Sequence, residues 1–252
     1  MYDMYRVLIM GLVTVIISIT LTPFVRKFAF VIKAVDHPDK RRVNKNVMPS
    51  IGGLAIYLSF FISMYLLQPV SLDIVNPIFI SSSIIILTGI IDDVKEISPK
   101  TKILGILVAS FIVYYWADIR MDAITIPLIG QIEFGVFSLP ITLIWVLAIT
   151  NSINLIDGLD GLASGVSIIA LSTMSLVSFF FIPGEGIIIF IQIFTLVCAT
   201  LGFLPYNFYP AKLYLGDTGA LFLGYMISVF SLYGLKNVTI ISLIVPIIIL
   251  GI

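Results

Sequence analysis

Long apolar runs recur along the whole chain, separated by short polar stretches. They are continuous rather than alternating, which predicts helices and not strands. Several reach the 18–20 residues that a bilayer core demands, so lipid is the expected solvent for most of the chain. A spanning segment must satisfy its own backbone groups, which again selects helices. Hydropathy predicts about nine spans, at roughly 5–25, 51–68, 74–91, 102–117, 138–150, 161–182, 186–204, 218–235 and 238–252. The first run, about Val7 to Phe24, is too long for a signal-peptide core and has no small-residue cleavage site, so it reads as a retained helix. Between the fourth and fifth spans, "ADIRMDAITIPLIGQIEFGVFSLP" (117–140) alternates around Gly130 and predicts a small hairpin outside the bilayer. The fold class is therefore all-α polytopic membrane protein, with residues 1–252 as a single integral-membrane domain. The ninth segment stops at Ile252 without a polar tail, which points to a chain truncated there.

Composition sharpens this picture. Hydrophobic residues make up 60% of the chain and charged residues 11%, against about 25% charged in soluble domains. Net charge is zero, so no nucleic-acid partner follows from it. The lone Cys198 rules out an intrachain disulfide. The basic residues set an orientation. Eleven of the fourteen lie in alternate loops: Arg26, Lys27, Lys33, Lys40, Arg41, Arg42, Lys45, Lys95, Lys100, Lys102 and Lys212. Those loops are expected on the cytoplasmic side, with the N-terminus outside.

The acids then fall into place. Asp92 and Asp93 lie in the loop after the third span, Asp157 and Asp160 in the loop after the fifth, and Asp217 in the loop after the seventh. Three separate loops thus bring five carboxylates to one face. A single loop acid is ordinarily just solvated, and Asp157 has a bland reading as the N-cap of the sixth helix. The adjacent pair resists such a reading. It sits at the C-terminal end of the third helix, where the dipole disfavours negative charge, and two carboxylates about 4 Å apart repel by about 4 kcal/mol at an effective dielectric near 20. A hard divalent cation relieves that repulsion, and phosphates would complete its shell. In "NSINLIDGLDGLASG" (151–165), Asn154, Asp157 and Asp160 stand at i, i+3 and i+6, a spacing that aligns them on one side of a helical turn. In "GFLPYNFYPAKLYLGDTGALFLG" (202–224), Asn207 and Tyr214 accompany Asp217, with Tyr214 suited either to the interface or to stacking on a nucleobase. The first loop, "DHPDKRRVNKNVMPSIGG" (36–53), supplies Arg41, Arg42 and Lys45 for pyrophosphate or for anionic lipid.

These four blocks, in this order and spacing, resemble the polyprenyl-phosphate N-acetylhexosamine-1-phosphate transferases, in particular the undecaprenyl-phosphate GlcNAc-1-phosphate transferases that initiate teichoic-acid and O-antigen assembly. The resemblance covers nearly the whole chain and implies a multi-pass enzyme of the bacterial plasma membrane with its site on the cytoplasmic face. The implied reaction transfers GlcNAc-1-phosphate from UDP-GlcNAc to undecaprenyl phosphate and releases UMP. It implies magnesium, with manganese as an alternative, held by Asp217 and Asn154. Asp92 would activate the lipid phosphate and Asp93 would support the cluster, so Asp92, Asp93 and Asp217 are the expected catalytic acids. Asp157 and Asp160 would line the nucleotide-sugar pocket, Asn207 and Tyr214 would hold uracil, and Lys45 would neutralise phosphate. A homodimer is left open. This sequence departs from the family at Asn44, where a histidine is usual, and ends before the family's histidine-rich loop.

Other readings are the phospho-N-acetylmuramoyl-pentapeptide transferase branch, an inactive truncated scaffold and a cation-coupled transporter. A transporter would want its acids at mid-bilayer rather than at helix ends. The CDP-alcohol phosphatidyltransferase pattern fails because Asp157-Gly158 runs on to Gly161-Leu162. The GxGD signature of intramembrane aspartyl proteases fails because Tyr214-Leu215-Gly216 precedes Asp217.

Overall fold

The computed structural model describes residues 4–36, 47–126, 130–182, 184 and 186–235. Among the described residues there are eight α-helices: α1 Met4–Ile32, α2 Gly52–Leu67, α3 Leu72–Lys95, α4 Pro99–Trp116, α5 Ser138–Ile156, α6 Leu162–Phe181, α7 Gly186–Asn207 and α8 Gly216–Leu235. They answer to the first eight predicted spans, and the ninth lies outside the described residues. Among the described residues, five helical stretches, those containing α1, α3, α5, α6 and α7, are long and apolar enough to cross a membrane, and α2 is a shorter apolar helix. The protein is an all-α polytopic membrane protein.

The described residues also form two small antiparallel ribbons. β1 (Val35–Asp36) pairs with β2 (Met48–Pro49), bracketing most of the first basic loop. The expected hairpin is present as β3 (Ala123–Ile126) and β4 (Gly130–Glu133), with Ala123 opposite Glu133. It joins the C-terminal end of α4 to the N-terminal end of α5, opposite to the end that carries the acids.

α8 is the buried axis of the bundle. It packs on α2, α3, α5 and α6, and residues such as Phe222, Tyr225, Met226 and Phe230 are wholly buried. Without a hydrophobic drive between helices in lipid, close backbone approach and polar links supply cohesion. Gly53 of α2 faces Gly219 of α8 so closely that a Cβ on Gly53 would lie 2.0 Å from the Gly219 Cα. The Tyr225 hydroxyl donates to the Ala109 carbonyl of α4 at 3.1 Å, and Ser18 of α1 donates to the Ala199 carbonyl of α7 at 2.6 Å. Because α8 is central, its first turn sits at the centre of one end of the bundle.

Several helix ends differ from the hydropathy boundaries, and the differences move the acids. α3 continues to Lys95 and ends on Glu96 in the left-handed region, so Asp92 and Asp93 occupy its last turn and not the following loop. α4 begins at Pro99 behind the Ser98 N-cap, which puts Lys102 inside the helix. α5 runs to Ile156 and includes Asn154, while Asp157 is its C-cap. The N-cap of α6 is Gly161, so Asp157 does not cap that helix, and Asn154, Asp157 and Asp160 do not share one helical face. Hydropathy stops at the first polar residue, whereas the backbone helix goes on while its hydrogen bonds can be completed.

Candidate functional site

Around the first turn of α8, the ends of α3, α5 and α7 meet the segment after β2. Backbone bonds stitch this segment to the turn before α8: Tyr214 N donates to Pro49 O at 2.9 Å, Gly52 N to Tyr214 O at 3.0 Å and Gly53 N to Leu215 O at 3.0 Å. Gly216 allows the turn into α8. Its φ of +72° is strained for other residues, and a Cβ there would lie 1.9 Å from the Ser50 carbonyl.

The two acids of the Asp92–Asp93 pair have different surroundings. Asp93 accepts four hydrogen bonds: from Ser50 Oγ at 3.0 Å and Asp217 N at 3.0 Å on Oδ1, and from Thr218 N at 2.9 Å and Thr218 Oγ1 at 2.5 Å on Oδ2. It satisfies N–H groups that the start of α8 leaves open, from a different helix. Asp92, 5% exposed, accepts from Ile97 N at 2.8 Å and forms an ion pair with Lys102. The same Lys102 ammonium lies 3.1 Å from Asp217 Oδ2, and the Asn154 amide donates to Asp217 Oδ1. Asp92 and Asp217, from two helices, thus converge on one ammonium, and Asn154 from a third helix holds Asp217.

The remaining predicted residues line or brace the adjoining cleft, which has a volume of about 880 Å³. Asp157 faces it from the end of α5. Burial first, then the charges of Asp217 and Asp93, push the Asp157 carboxyl up to about 7. Asp160 accepts from Ala211 N at 2.9 Å and so ties the α5–α6 turn to the α7–α8 turn. Asn207 is buried, accepts from Ser164 Oγ at 2.6 Å and donates to Leu213 O at 3.2 Å, which folds that second turn. Tyr214 borders the cleft through the turn stitched to the β2 segment. Lys45 lies outside the described residues.

Three participants escaped the sequence reading as site residues. Ser50 and Thr218 had no signal of their own. The sequence marks Lys102 only as a loop charge that sets orientation. The Ser98-Pro99 start signal would have begun α4 earlier and placed Lys102 one turn inside it.

Among the described residues, no three Asp, Glu, His or Cys side chains form a ready-made metal cage. The donor chemistry nonetheless fits a hard cation: two carboxylates already converge on an ammonium, and magnesium commonly takes only one or two carboxylates, with phosphates and water filling its shell.

The sequence model of glycosyl transferase family 4 matches residues 75–235, from α3 to the end of α8. The chain belongs to this family. Family 4 relatives extend the match beyond those bounds. A probable undecaprenyl-phosphate N-acetylglucosaminyl 1-phosphate transferase of Bacillus subtilis (strain 168) is 40% identical over 251 residues, which cover 99% of this chain and 69% of that protein. A phospho-N-acetylmuramoyl-pentapeptide-transferase of Staphylococcus epidermidis is 33% identical over 84% of this chain and 70% of its own length. Another, from Chlorobium phaeobacteroides, is 30% identical over 90% and 70%. The Bacillus subtilis match, at 99% of this chain, takes in the acid-bearing helix ends of this family 4 chain.

Proposed function

We propose that this protein transfers GlcNAc-1-phosphate from UDP-GlcNAc to undecaprenyl phosphate, releasing UMP, at the cytoplasmic face of the bacterial plasma membrane with its N-terminus outside. One observation carries the reading: Asp92 and Asp217, both lining the cleft, converge on the Lys102 ammonium while Asn154 of a third helix is bonded to Asp217, in a chain 40% identical to a probable transferase of that type. Phosphoryl transfer between two anions calls chiefly for positioning and charge neutralisation, and a lipid acceptor explains why the site sits at helix ends in a membrane bundle.

Asp92, fixed by the Ile97 N–H, orients the acceptor phosphate and takes up its proton. A phosphate oxygen then attacks the sugar-side phosphorus, and UMP leaves with the electrons of the broken P–O bond. Lys102, within reach of both Asp92 and Asp217, is set to balance phosphate charge as it builds. Asp157, Asp160, Asn207 and Tyr214 shape the wall for the nucleotide sugar, and Lys45 adds positive charge from the first loop. Magnesium, or manganese in its stead, would be held by Asp217 and Asn154 and would supply charge neutralisation for the diphosphate. Asp93 acts by holding the first turn of α8, and with it Asp217, in register.

The pentapeptide-transferase relatives supply the second reading, in which the donor carries a peptide-bearing muramoyl sugar. Purified protein given undecaprenyl phosphate and each nucleotide sugar in turn decides between them. GlcNAc-diphosphate lipid with stoichiometric UMP is the expected product. Turnover with the muramoyl-pentapeptide donor alone would transfer the assignment to the other branch.

A further inference from the structure

A second cavity lies on the flank of the bundle, between α1 and α7. It has a volume of about 330 Å³ and is lined by Pro23, Arg26, Lys27, Phe30 and Tyr206. Its construction begins with a proline. Pro23 sits inside α1 and has no N–H to give, which leaves the carbonyl four residues back, that of Ile19, without its helical donor. The Tyr206 hydroxyl of α7 takes that carbonyl at 3.2 Å, next to a second in-helix proline, Pro205. The two helices are therefore tied together just below the place where Arg26 and Lys27 project. Both cations are exposed, and neither forms a hydrogen bond or ion pair among the described residues. α1 has 29 residues, about 43 Å of helix at 1.5 Å per residue, which exceeds the ~30 Å hydrocarbon core. The end carrying Arg26 and Lys27 is the same end of the bundle as the acid cluster, and under the proposed orientation it stands among inner-leaflet headgroups.

Two features select the ligand. The cations call for an anion. The surface of α1 on the bilayer side of the cations is apolar and open, with Ile16, Ile19 and Phe24 exposed by 57%, 41% and 67%, which suits an anion that carries acyl chains. Tyr206 also connects the notch with the site, since its carbonyl accepts both Lys212 N at 2.8 Å and Leu213 N at 3.1 Å and so anchors the turn that leads to Tyr214 and Asp217.

We propose that this notch binds the phosphate headgroup of an anionic phospholipid, Arg26 and Lys27 pairing with the phosphate while the acyl chains run past Phe24 towards Ile16, and that occupancy steadies the turn from Asn207 to Tyr214.

The test uses the full chain in nanodiscs of phosphatidylcholine with or without phosphatidylglycerol, reading lipid retention by native mass spectrometry and melting temperature in parallel. Neither readout needs turnover, so failure here is separable from failure of the transferase reading. Wild type is expected to enrich phosphatidylglycerol and to melt higher in its presence. The double variant Arg26→Gln, Lys27→Gln is expected to lose about thirtyfold of that enrichment, as two juxtamembrane cations at about 1 kcal/mol each imply, with unchanged melting in phosphatidylcholine. The charge-conserving pair Arg26→Lys, Lys27→Arg should keep it. Equal enrichment in the Gln double variant overturns the site. Inorganic phosphate reproducing the thermal gain in phosphatidylcholine discs overturns the lipid assignment.

Discussion

Asp93 and Thr218 are joined twice, the Asp93 Oδ2 accepting the Thr218 N–H at 2.9 Å and its hydroxyl at 2.5 Å. One residue belongs to α3 and the other to the first turn of α8, so the cap of the central helix comes from a neighbouring helix. The adjacent acids thus divide their work: Asp93 holds a helix, while Asp92 faces the cleft beside Lys102. Loss of a buried, charge-assisted acceptor costs about 2–3 kcal/mol. Asp93→Ala is accordingly expected to lower the melting temperature in detergent markedly, and Asp93→Asn to lower it less, because one carbonyl oxygen survives. An alanine variant melting with wild type would remove the capping role.

Lys102 stands between Asp92 and Asp217 as their shared counter-ion. With this charge gone, two carboxylates face each other unneutralised, and an external cation gains what the ammonium supplied. Lys102→Met should therefore melt lower than wild type in chelator and gain more from added magnesium. Direct titration with manganese, followed by electron paramagnetic resonance, should show tighter binding in the variant. Identical metal responses in the two proteins would mean that the ammonium and a metal do not compete for these carboxylates.

The gathering of the acids was legible in the sequence because it depends only on counting helices: segments that alternate in direction return every second loop to the same end. Their local geometry was not. Asp92, Asp93, Asn154 and Asp217 all lie within terminal helical turns, where polar side chains are tolerated because the helix is leaving the apolar layer. A hydropathy window ends before them for the same reason. The partners of Asp93 were also hidden, since Ser50 and Thr218 are ordinary residues whose importance arises from the close crossing of α2 and α8 at Gly53 and Gly219. Conversely, the i, i+3, i+6 spacing of Asn154, Asp157 and Asp160 suggested one helical face, but the chain breaks into turns at Gly158 and Gly161, and each acid took a separate task.

Asp217 contributes its backbone N–H to the cap and its carboxylate to the cluster, so the two functions separate chemically. Asp217→Asn keeps the first and alters the second. UMP release is expected to fall by about 10²-fold or more, the scale of losing one electrostatic contact to a transition state, while far-ultraviolet circular dichroism and elution volume stay at wild type. Near-normal turnover in this variant would remove Asp217 from the reaction.

Asp157 supplies a pH signature. Its carboxyl is raised from 3.8 to about 7, chiefly by burial and further by the charges of Asp217 and Asp93. Between those two values the folded protein holds a proton that the unfolded chain has released. Stability linked to this group is therefore greatest below the lower value, declines as pH rises through the interval and is flat above about 7. Asparagine mimics the protonated side chain at every pH. Asp157→Asn should leave melting nearly unchanged in acid and raise it relative to wild type as pH approaches neutrality, in metal-free buffer without nucleotide. Parallel melting curves for the two proteins across that interval would show that the carboxyl ionises in the folded protein as freely as in water, and that its place at the end of α5 imposes no charge penalty on the cleft.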